Sequence, residues 1–113
     1  MIKKVKITKL WKRPIFEDVI DVRSPSEYAE DHIIGSVNYP VLYNEQRSLI
    51  GKTYKQVNPF KAKIIGSSII AKNIAIHIEK NFQNKSGSWK PLIYCWRGGQ
   101  RSRALALILQ EIG

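Results

Sequence analysis

Residues 18–27 read Asp18-Val19-Ile20-Asp21-Val22-Arg23-Ser24-Pro25-Ser26-Glu27. The first half is a short apolar run rich in β-branched residues, which is typical of a buried parallel strand. The second half places a serine before Pro25 and a glutamate at the third helical position, the pattern of a capping box that starts a helix. A buried strand leading directly into a helix predicts a βα unit.

Further elements surround this unit on both sides. Val5 to Trp11 alternates basic and apolar residues, as a half-buried strand would, and Ser36 to Tyr39 reads as another short strand before a proline. Asn44 is predicted to cap a helix over Glu45 to Gln56. Together with the βα unit, these segments indicate strands that alternate with helices.

The second half of the chain continues the alternation. Asn58-Pro59 opens the longest helical stretch, in which isoleucines recur at helical spacings, and Asn81 to Lys90 has loop composition. Pro91 to Cys95 is predicted to be a strand, and Ser102 to Ile112 a helix. The last helix offers these side chains for packing: Ala104, Leu105, Leu107, Ile108 and Ile112. The pattern predicts one α/β domain over residues 1–113, built on an open, mainly parallel sheet flanked by helices.

Length and charge narrow the function classes. A chain of 113 residues has the usual size of one domain, so we expect it to lack separate nucleotide and substrate lobes. Its formal net charge of +10 suits a polyanionic partner, nucleic acid first. The amino-terminal basic residues either attract nucleic-acid phosphate or form a solvated strand edge, and both interpretations stay open. They are Lys3, Lys4, Lys6, Lys9, Lys12 and Arg13.

The residues available for metal binding are few. One cysteine, Cys95, excludes an internal disulfide framework and a multi-thiolate metal site. His32 is expected to shape the turn before Gly35 and His77 to lie on a helix surface, so no metal ligand set is predicted. Asp21 either steadies the active-site side of the sheet through a hydrogen bond or is an ordinary carboxylate at a strand end, and we expect the second. No stretch approaches the roughly 20 apolar residues of a membrane span and no signal peptide is evident, so we expect no membrane association and a cytoplasmic location.

The stretch Tyr94-Cys95-Trp96-Arg97-Gly98-Gly99-Gln100-Arg101-Ser102 joins a predicted strand to a predicted helix. Ligands of open α/β sheets collect at this end of the strands. Inward-facing loop amides, the helix N-terminus and two arginines favour a reactive Cys95 thiolate that acts as a nucleophile or carries a chalcogen atom. The alternative is that Cys95 is a small buried hydrophobe. The indole of Trp96 either stacks on a nucleobase or a prenyl group, or packs the loop against the domain.

These motifs together resemble the rhodanese domain. Residues 21–28 and 31–38 resemble its amino-terminal signature, and the cysteine loop followed by Arg101-Ser102 resembles its active-site signature. Ordinary rhodaneses place four residues between the cysteine and the loop arginine, whereas five lie between Cys95 and Arg101. This spacing departs from that of a simple thiosulfate sulfurtransferase.

The cysteine loop is similar to that of the tRNA 2-selenouridine synthase family, and the mid-chain residues Asn44-Glu45, 51–55 and 58–60 resemble a segment of the same family. The resemblance implies replacement of sulfur by selenium in wobble 2-thiouridine of tRNA, with selenophosphate as donor, geranyl diphosphate as a co-substrate and no other cofactor. It implies that Cys95 is the nucleophile or chalcogen carrier. The residues implied to bind substrate or anion are Trp96, Arg97, Gly98, Gly99, Gln100, Arg101 and Ser102.

The resemblance also implies a partner. Members of this family carry a P-loop domain after the rhodanese domain, and some are split into two polypeptides. We therefore expect a separate P-loop subunit that supplies a last strand missing from this sheet, or a truncated chain.

Three other functions remain open at this point. Five residues also separate the cysteine from the arginine in the tyrosine-phosphatase loop and in its rhodanese-fold relatives. This spacing leaves a cysteine phosphatase or an arsenate reductase as an alternative. A general sulfurtransferase and a non-catalytic binding module are the others.

Overall fold

The computed structural model describes residues 18–95 and 99–112. The strands are β1 (Asp18–Asp21), β2 (Val37–Asn38) and β3 (Pro91–Tyr94). The helices are α1 (Pro25–Glu30), α2 (Asn44–Gln56), α3 (Pro59–His77) and α4 (Gln100–Ile112), and a π-helical turn (Ile78–Phe82) extends α3. The strand predicted over Val5 to Trp11 lies outside the described residues.

The described strands form one parallel sheet in the order β2-β1-β3. Ile20 of β1 is in register with Val37 of β2 on one side and with Ile93 of β3 on the other. β1 is therefore central, and its apolar residues are buried, as a parallel strand covered on both faces requires. The prediction of an α/β fold with helices flanking a parallel sheet is confirmed.

Helix α1 begins as its capping pattern predicts. Ser24 lies at the N-cap, Pro25 follows at the first helical position, and Glu27 reaches back to accept hydrogen bonds from the Ser24 amide at 3.0 Å and the Ser24 hydroxyl at 2.8 Å. The turn from β1 into α1 is thereby fixed by neighbouring residues alone.

The core lies between the sheet and the helices. Its buried members are Ile20, Val22, Val41, Ile74, Phe82, Cys95 and Leu105. Helix α4 begins two residues earlier than predicted, at Gln100, and inserts Leu105 into this core. Of the side chains that α4 offers for packing, Leu107 and Ile108 are instead 53% and 37% exposed.

The start of α2 differs from the prediction that Asn44 caps it. The N-cap is Tyr43, whose amide donates to Gln46 Oε1 at 2.9 Å. Asn44 is the first helical residue, and its Oδ1 accepts a hydrogen bond from the amide of Ser26 in α1 at 3.1 Å. The Asn44 side chain, which the sequence pattern assigns to the cap of its own helix, therefore joins α2 to α1.

The prediction that His77 lies on a helix surface is also wrong. His77 is buried, and its Nε2 donates to the carbonyl of Pro40 at 2.6 Å. One turn earlier, Asn73 is buried and donates to the carbonyl of Val41 at 2.8 Å. The irregular segment after β2 has backbone acceptors that need partners inside the protein, and α3 supplies them.

Candidate functional site

Cys95 directly follows β3, and its side chain is 1% exposed. Its Sγ accepts a hydrogen bond from the amide of Ser102 at 3.4 Å and lies 3.4 Å from the hydroxyl oxygen of the same residue. The Ser102 hydroxyl also donates to the carbonyl of Gly99 at 3.0 Å. The fold thus brings together two residues, seven positions apart, that the sequence assigns to one site.

The loop is closed by Gly99. Its φ of 71° lies in the left-handed region, which favours glycine because a side chain there meets the backbone. Helix α4 starts at the next residue, so the sulfur of Cys95 faces the first turn of a helix. The unpaired amides and the dipole at a helix N-terminus attract negative charge. The site is therefore built to hold an anionic sulfur or an anionic group attached to it.

Arg101 extends from the first turn of α4 towards α1. Its guanidinium contacts the Glu27 carboxylate at 2.8 and 3.3 Å. Burial raises the pKa of Glu27, but hydrogen bonds from Arg101 and Ser24 outweigh that effect and bring it to about 2. Arg47 of α2 contacts the same carboxylate at 3.3 Å. Glu27 therefore connects the helix after the cysteine loop with α2.

A buried ion pair lies beside the cysteine strand. Arg23 donates to Asp21 through Nε and Nη2, with a closest approach of 2.8 Å, and the backbone amide of Arg23 donates to the same carboxylate at 2.8 Å. Both side chains are almost fully buried. Asp21 is thus the centre of a hydrogen-bond network, and the interpretation that it is an ordinary strand-end carboxylate is wrong.

Tyr94, immediately before Cys95, joins that network. Its hydroxyl donates to Asp21 at 2.7 Å, accepts from the amide of Ile33 at 3.1 Å and lies 3.2 Å from the hydroxyl oxygen of Ser36. Burial first, and then the Asp21 carboxylate, raises the pKa of Tyr94 to about 12. The phenol is therefore neutral at physiological pH, and its hydroxyl donates and accepts hydrogen bonds at a fixed position at the end of β3.

Five of the predicted site residues lie within the described chain. Ser102 contacts both Cys95 and Gly99, Arg101 is directed to Glu27, and Gln100 is exposed at the start of α4. The other three predicted site residues lie outside the described residues, and they are Trp96, Arg97 and Gly98. Sequence reasoning missed the roles of Glu27 and Arg47, because nothing in the local pattern links either one to a helix so distant in the chain.

Two features are absent from the described part of the chain. None of its helices is long and apolar enough to cross a bilayer. Across residues 18–95 and 99–112, no three His, Cys, Asp or Glu side chains are placed to hold one metal ion. The chemistry that the described residues offer is that of the thiol, the helix amides and the arginines.

Comparison with known proteins agrees with this geometry. A model of the rhodanese-like domain matches residues 6–113. Curated relatives named tRNA 2-selenouridine synthase include those of Nitrosomonas europaea, 32% identical over 103 residues, and Nitrosomonas eutropha, 34% identical over 103 residues. Each match covers 84% of this chain and 25% of the relative, so the chain spans about a quarter of their length.

A solved structure is similar as well. It is the N-terminal domain of a candidate ATP/GTP-binding protein from Clostridium difficile 630, with a TM-score of 0.64 and 30% sequence identity. The match covers 84% of this chain and 74% of that one. It supports the same α/β arrangement around the cysteine strand.

Proposed function

This chain belongs to the rhodanese-like domain family, and we propose that it is the rhodanese unit of a tRNA 2-selenouridine synthase. In this proposal it takes part in the exchange of sulfur for selenium on wobble 2-thiouridine of tRNA, in the cytoplasm. Selenophosphate is the selenium donor and geranyl diphosphate a further co-substrate. The relatives at about 30% identity bear the name of this activity.

One observation carries the proposal. Cys95 lies at the end of β3 with its sulfur against the Ser102 amide, in the first turn of α4. A sulfur so placed attacks an electrophile, or holds a transferred chalcogen as an anion, with helix amides already oriented towards the charge. Its burial keeps the group away from bulk water.

The arginines have separate roles in the proposed reaction. Arg101 and Arg97 supply positive charge for an anionic donor or for the tRNA backbone. Because Arg101 is held by Glu27, an incoming phosphate-like group competes with that carboxylate for the guanidinium, while Arg47 remains to neutralise Glu27. Glu27 thus fixes the position from which Arg101 meets an anion.

A second polypeptide belongs to the proposal. The curated relatives are about four times longer than the aligned segment, which leaves room for a nucleotide-binding unit beyond it. We propose that a P-loop polypeptide completes the enzyme and that activity on tRNA requires both.

The chalcogen-carrier role is tested without that partner. Thiosulfate supplies a transferable sulfur: the Cys95 thiolate attacks the outer sulfur, the S–S bond of thiosulfate breaks, and sulfite leaves a persulfide on the protein. Intact-mass measurement is expected to show one added sulfur atom on the wild-type chain and none on Cys95→Ser, which removes the nucleophile at little change in volume.

The full activity is tested with the P-loop partner, selenophosphate, geranyl diphosphate and tRNA that carries 2-thiouridine. Nucleoside analysis is expected to detect 2-selenouridine with wild-type chain and none with Cys95→Ser. Normal 2-selenouridine formation by Cys95→Ser, with the circular dichroism of the folded chain retained, would show that Cys95 does not carry the reaction.

A further inference from the structure

The antiparallel pair of α2 and α3, here called the α2–α3 hairpin (residues 44–77), has a large excess of positive charge, with Glu45 as its single carboxylate. Residues 46–78 contain no Asp or Glu, although the whole chain has nine. The same stretch contains six basic residues, all of them exposed: Arg47, Lys52, Lys55, Lys61, Lys63 and Lys72. Because Glu45 is the single carboxylate of the hairpin and Arg47 already contacts Glu27, the excess positive charge is carried by the five lysines, and it attracts a polyanion.

Exposed rings stand among the lysines where the two helices join. Tyr54 is 58% exposed and Phe60 is 70% exposed, with Val57 between them at 62%. Aromatic side chains normally bury most of their surface, so two open rings beside several lysines need an explanation. Basic groups that track phosphates and rings that stack on unpaired bases form the usual surface for single-stranded nucleic acid.

Gly51 gives the hairpin an open backbone. It lies in the interior of α2, where glycine is less stable than alanine, and a Cβ built there meets nothing within 4 Å. Gly66 of α3 differs, because a Cβ there would approach Ile50 Cδ1 at 3.2 Å. Packing explains Gly66 and leaves Gly51 unexplained, whereas close approach of a ligand to the helix would account for it.

The open glycine lies on a defined face of α2. Arg47, Gly51 and Tyr54 are spaced by four and three residues, so they lie above one another along one side of the helix. Arg47 contacts Glu27, which in turn holds Arg101 beside the cysteine loop. The face is therefore continuous from the rim of the Cys95 site to the tip of the hairpin.

We propose that the α2–α3 hairpin binds single-stranded RNA, with Tyr54 and Phe60 stacking on bases and the surrounding lysines contacting phosphates. The proposal that this RNA is the anticodon region of tRNA rests on the proposed function. The absence of carboxylates from residues 46–78 favours RNA over a protein partner of mixed charge. The face from Arg47 to Tyr54 would guide the strand towards Cys95.

The test compares two RNA probes by fluorescence anisotropy with the full chain. One is a labelled stem-loop with an unpaired loop, and the other is a fully paired duplex of the same length. Tyr54→Ala and Phe60→Ala are each expected to weaken stem-loop binding about five-fold or more, as loss of a stacked base does, and to change duplex binding little. Lys52→Ala and Lys55→Ala are expected to weaken the binding of both probes. Each should also lower the slope of log affinity against log salt concentration by roughly one.

Matched controls come from the same protein. Leu49→Ala removes a side chain that is 49% exposed on another face of α2, and Lys90→Ala removes an exposed charge outside the hairpin. Both are expected to bind the stem-loop like wild type. Gly51→Gln is expected to raise the melting temperature and weaken RNA binding, whereas a glycine without a ligand role would show only the stabilisation.

Equal stem-loop affinity of wild type, Tyr54→Ala and Phe60→Ala would overturn the RNA surface. So would equal losses from Leu49→Ala, or a change of oligomeric state in place of RNA binding, since either would mark a protein-docking face. The thiosulfate assay on the wild-type chain, run without RNA, tests the proposed role of Cys95 independently of RNA binding. Failure to form a persulfide counts against Cys95 as carrier, and failure to bind the stem-loop counts against the hairpin.

Discussion

The hydroxyl of Tyr94 donates to the Asp21 carboxylate over 2.7 Å, and this bond ties the end of β3 to the end of β1 one residue before Cys95. The same carboxylate holds Arg23, whose Nη2 also donates to the carbonyl of Asp31 at 2.6 Å. Two strand ends and the loop before β2 are therefore held by one buried polar network. Its members touch no reacting atom in the described structure, and they position the strand that carries the thiol.

The first prediction concerns the phenol of Tyr94. Tyr94→Phe keeps the ring in place but leaves the Ile33 amide and one Asp21 oxygen without the hydroxyl. We expect a loss of about 1–3 kcal/mol in the free energy of unfolding, the usual result of an unsatisfied buried group. Urea unfolding measures it, with Tyr43→Phe as the control because that side chain is more exposed. Equal stability of wild type and Tyr94→Phe would contradict the network.

The second prediction concerns the ion pair itself. Asp21→Asn leaves the buried Arg23 facing a neutral amide, and removing one partner of a buried pair costs about 3–5 kcal/mol. Asp31→Asn changes a carboxylate that is 77% exposed and lies 3.7 Å from the same guanidinium, for which we expect at most about 1 kcal/mol. Urea unfolding of the two variants should separate them clearly. A similar small effect from both would show that Asp21 is not the main counter-ion of Arg23.

Much of the fold is predictable from the sequence where the signal is local. β1 and the start of α1 follow from an apolar run and a capping pattern whose partners are at most a few residues apart. The position of Cys95 between a strand and a helix N-terminus is also predictable, because a glycine turn separates an apolar run from a helical pattern; the structure adds the hydrogen bond from the Ser102 amide. These elements need no information from the rest of the chain.

The errors arise where tertiary contacts outweigh residue type. In α3, the apolar side chains of Ile64 and Ile76 are 53% and 45% exposed, whereas the polar side chains of Asn73 and His77 are buried. This is the opposite of what their polarity predicts. Asn73 and His77 are buried because backbone carbonyls of the segment after β2 need hydrogen-bond donors. These carbonyls are more than 30 residues away along the chain. The spacing of apolar residues along α3 gives no information about such distant backbone acceptors.

The third prediction concerns acid stability through Glu27. The pKa of this carboxyl is about 2 in the folded chain against an ordinary value of 4.5. A lowered pKa means that the contribution of Glu27 is complete above pH 4.5 and is lost as pH falls towards 2. Because the carboxylate remains partly exposed to solvent, we expect only about 1–2 kcal/mol from it.

Glu27→Gln provides the comparison for this prediction. Glutamine still accepts from the Ser24 amide in the capping box but lacks the charge that holds Arg101 and Arg47. The difference in unfolding free energy between wild type and Glu27→Gln should therefore shrink as pH falls below 4.5. A difference that stays constant down to the acid limit would show that the charge of Glu27 adds nothing to stability.

The fourth prediction concerns His77 near neutral pH. Burial first, and then the charge of Lys80, lower the pKa of His77 from its ordinary 6.5, against the opposing hydrogen bond to Pro40. The unfolded chain therefore takes up this proton at a higher pH than the folded chain does. Stability from His77 is complete above pH 6.5 and declines as pH falls below that value, towards the lowered pKa of the folded state.

His77→Gln is the variant that isolates this proton, because its amide can still donate to the Pro40 carbonyl while carrying no titratable group. Chemical unfolding at a series of pH values from neutral to about 5 should show a smaller loss of stability for His77→Gln than for wild type. Parallel curves would mean that His77 takes up its proton equally in both states. A steeper decline in the variant would mean that the folded state favours the charged imidazole, opposite to the effect of burial and of the charge of Lys80.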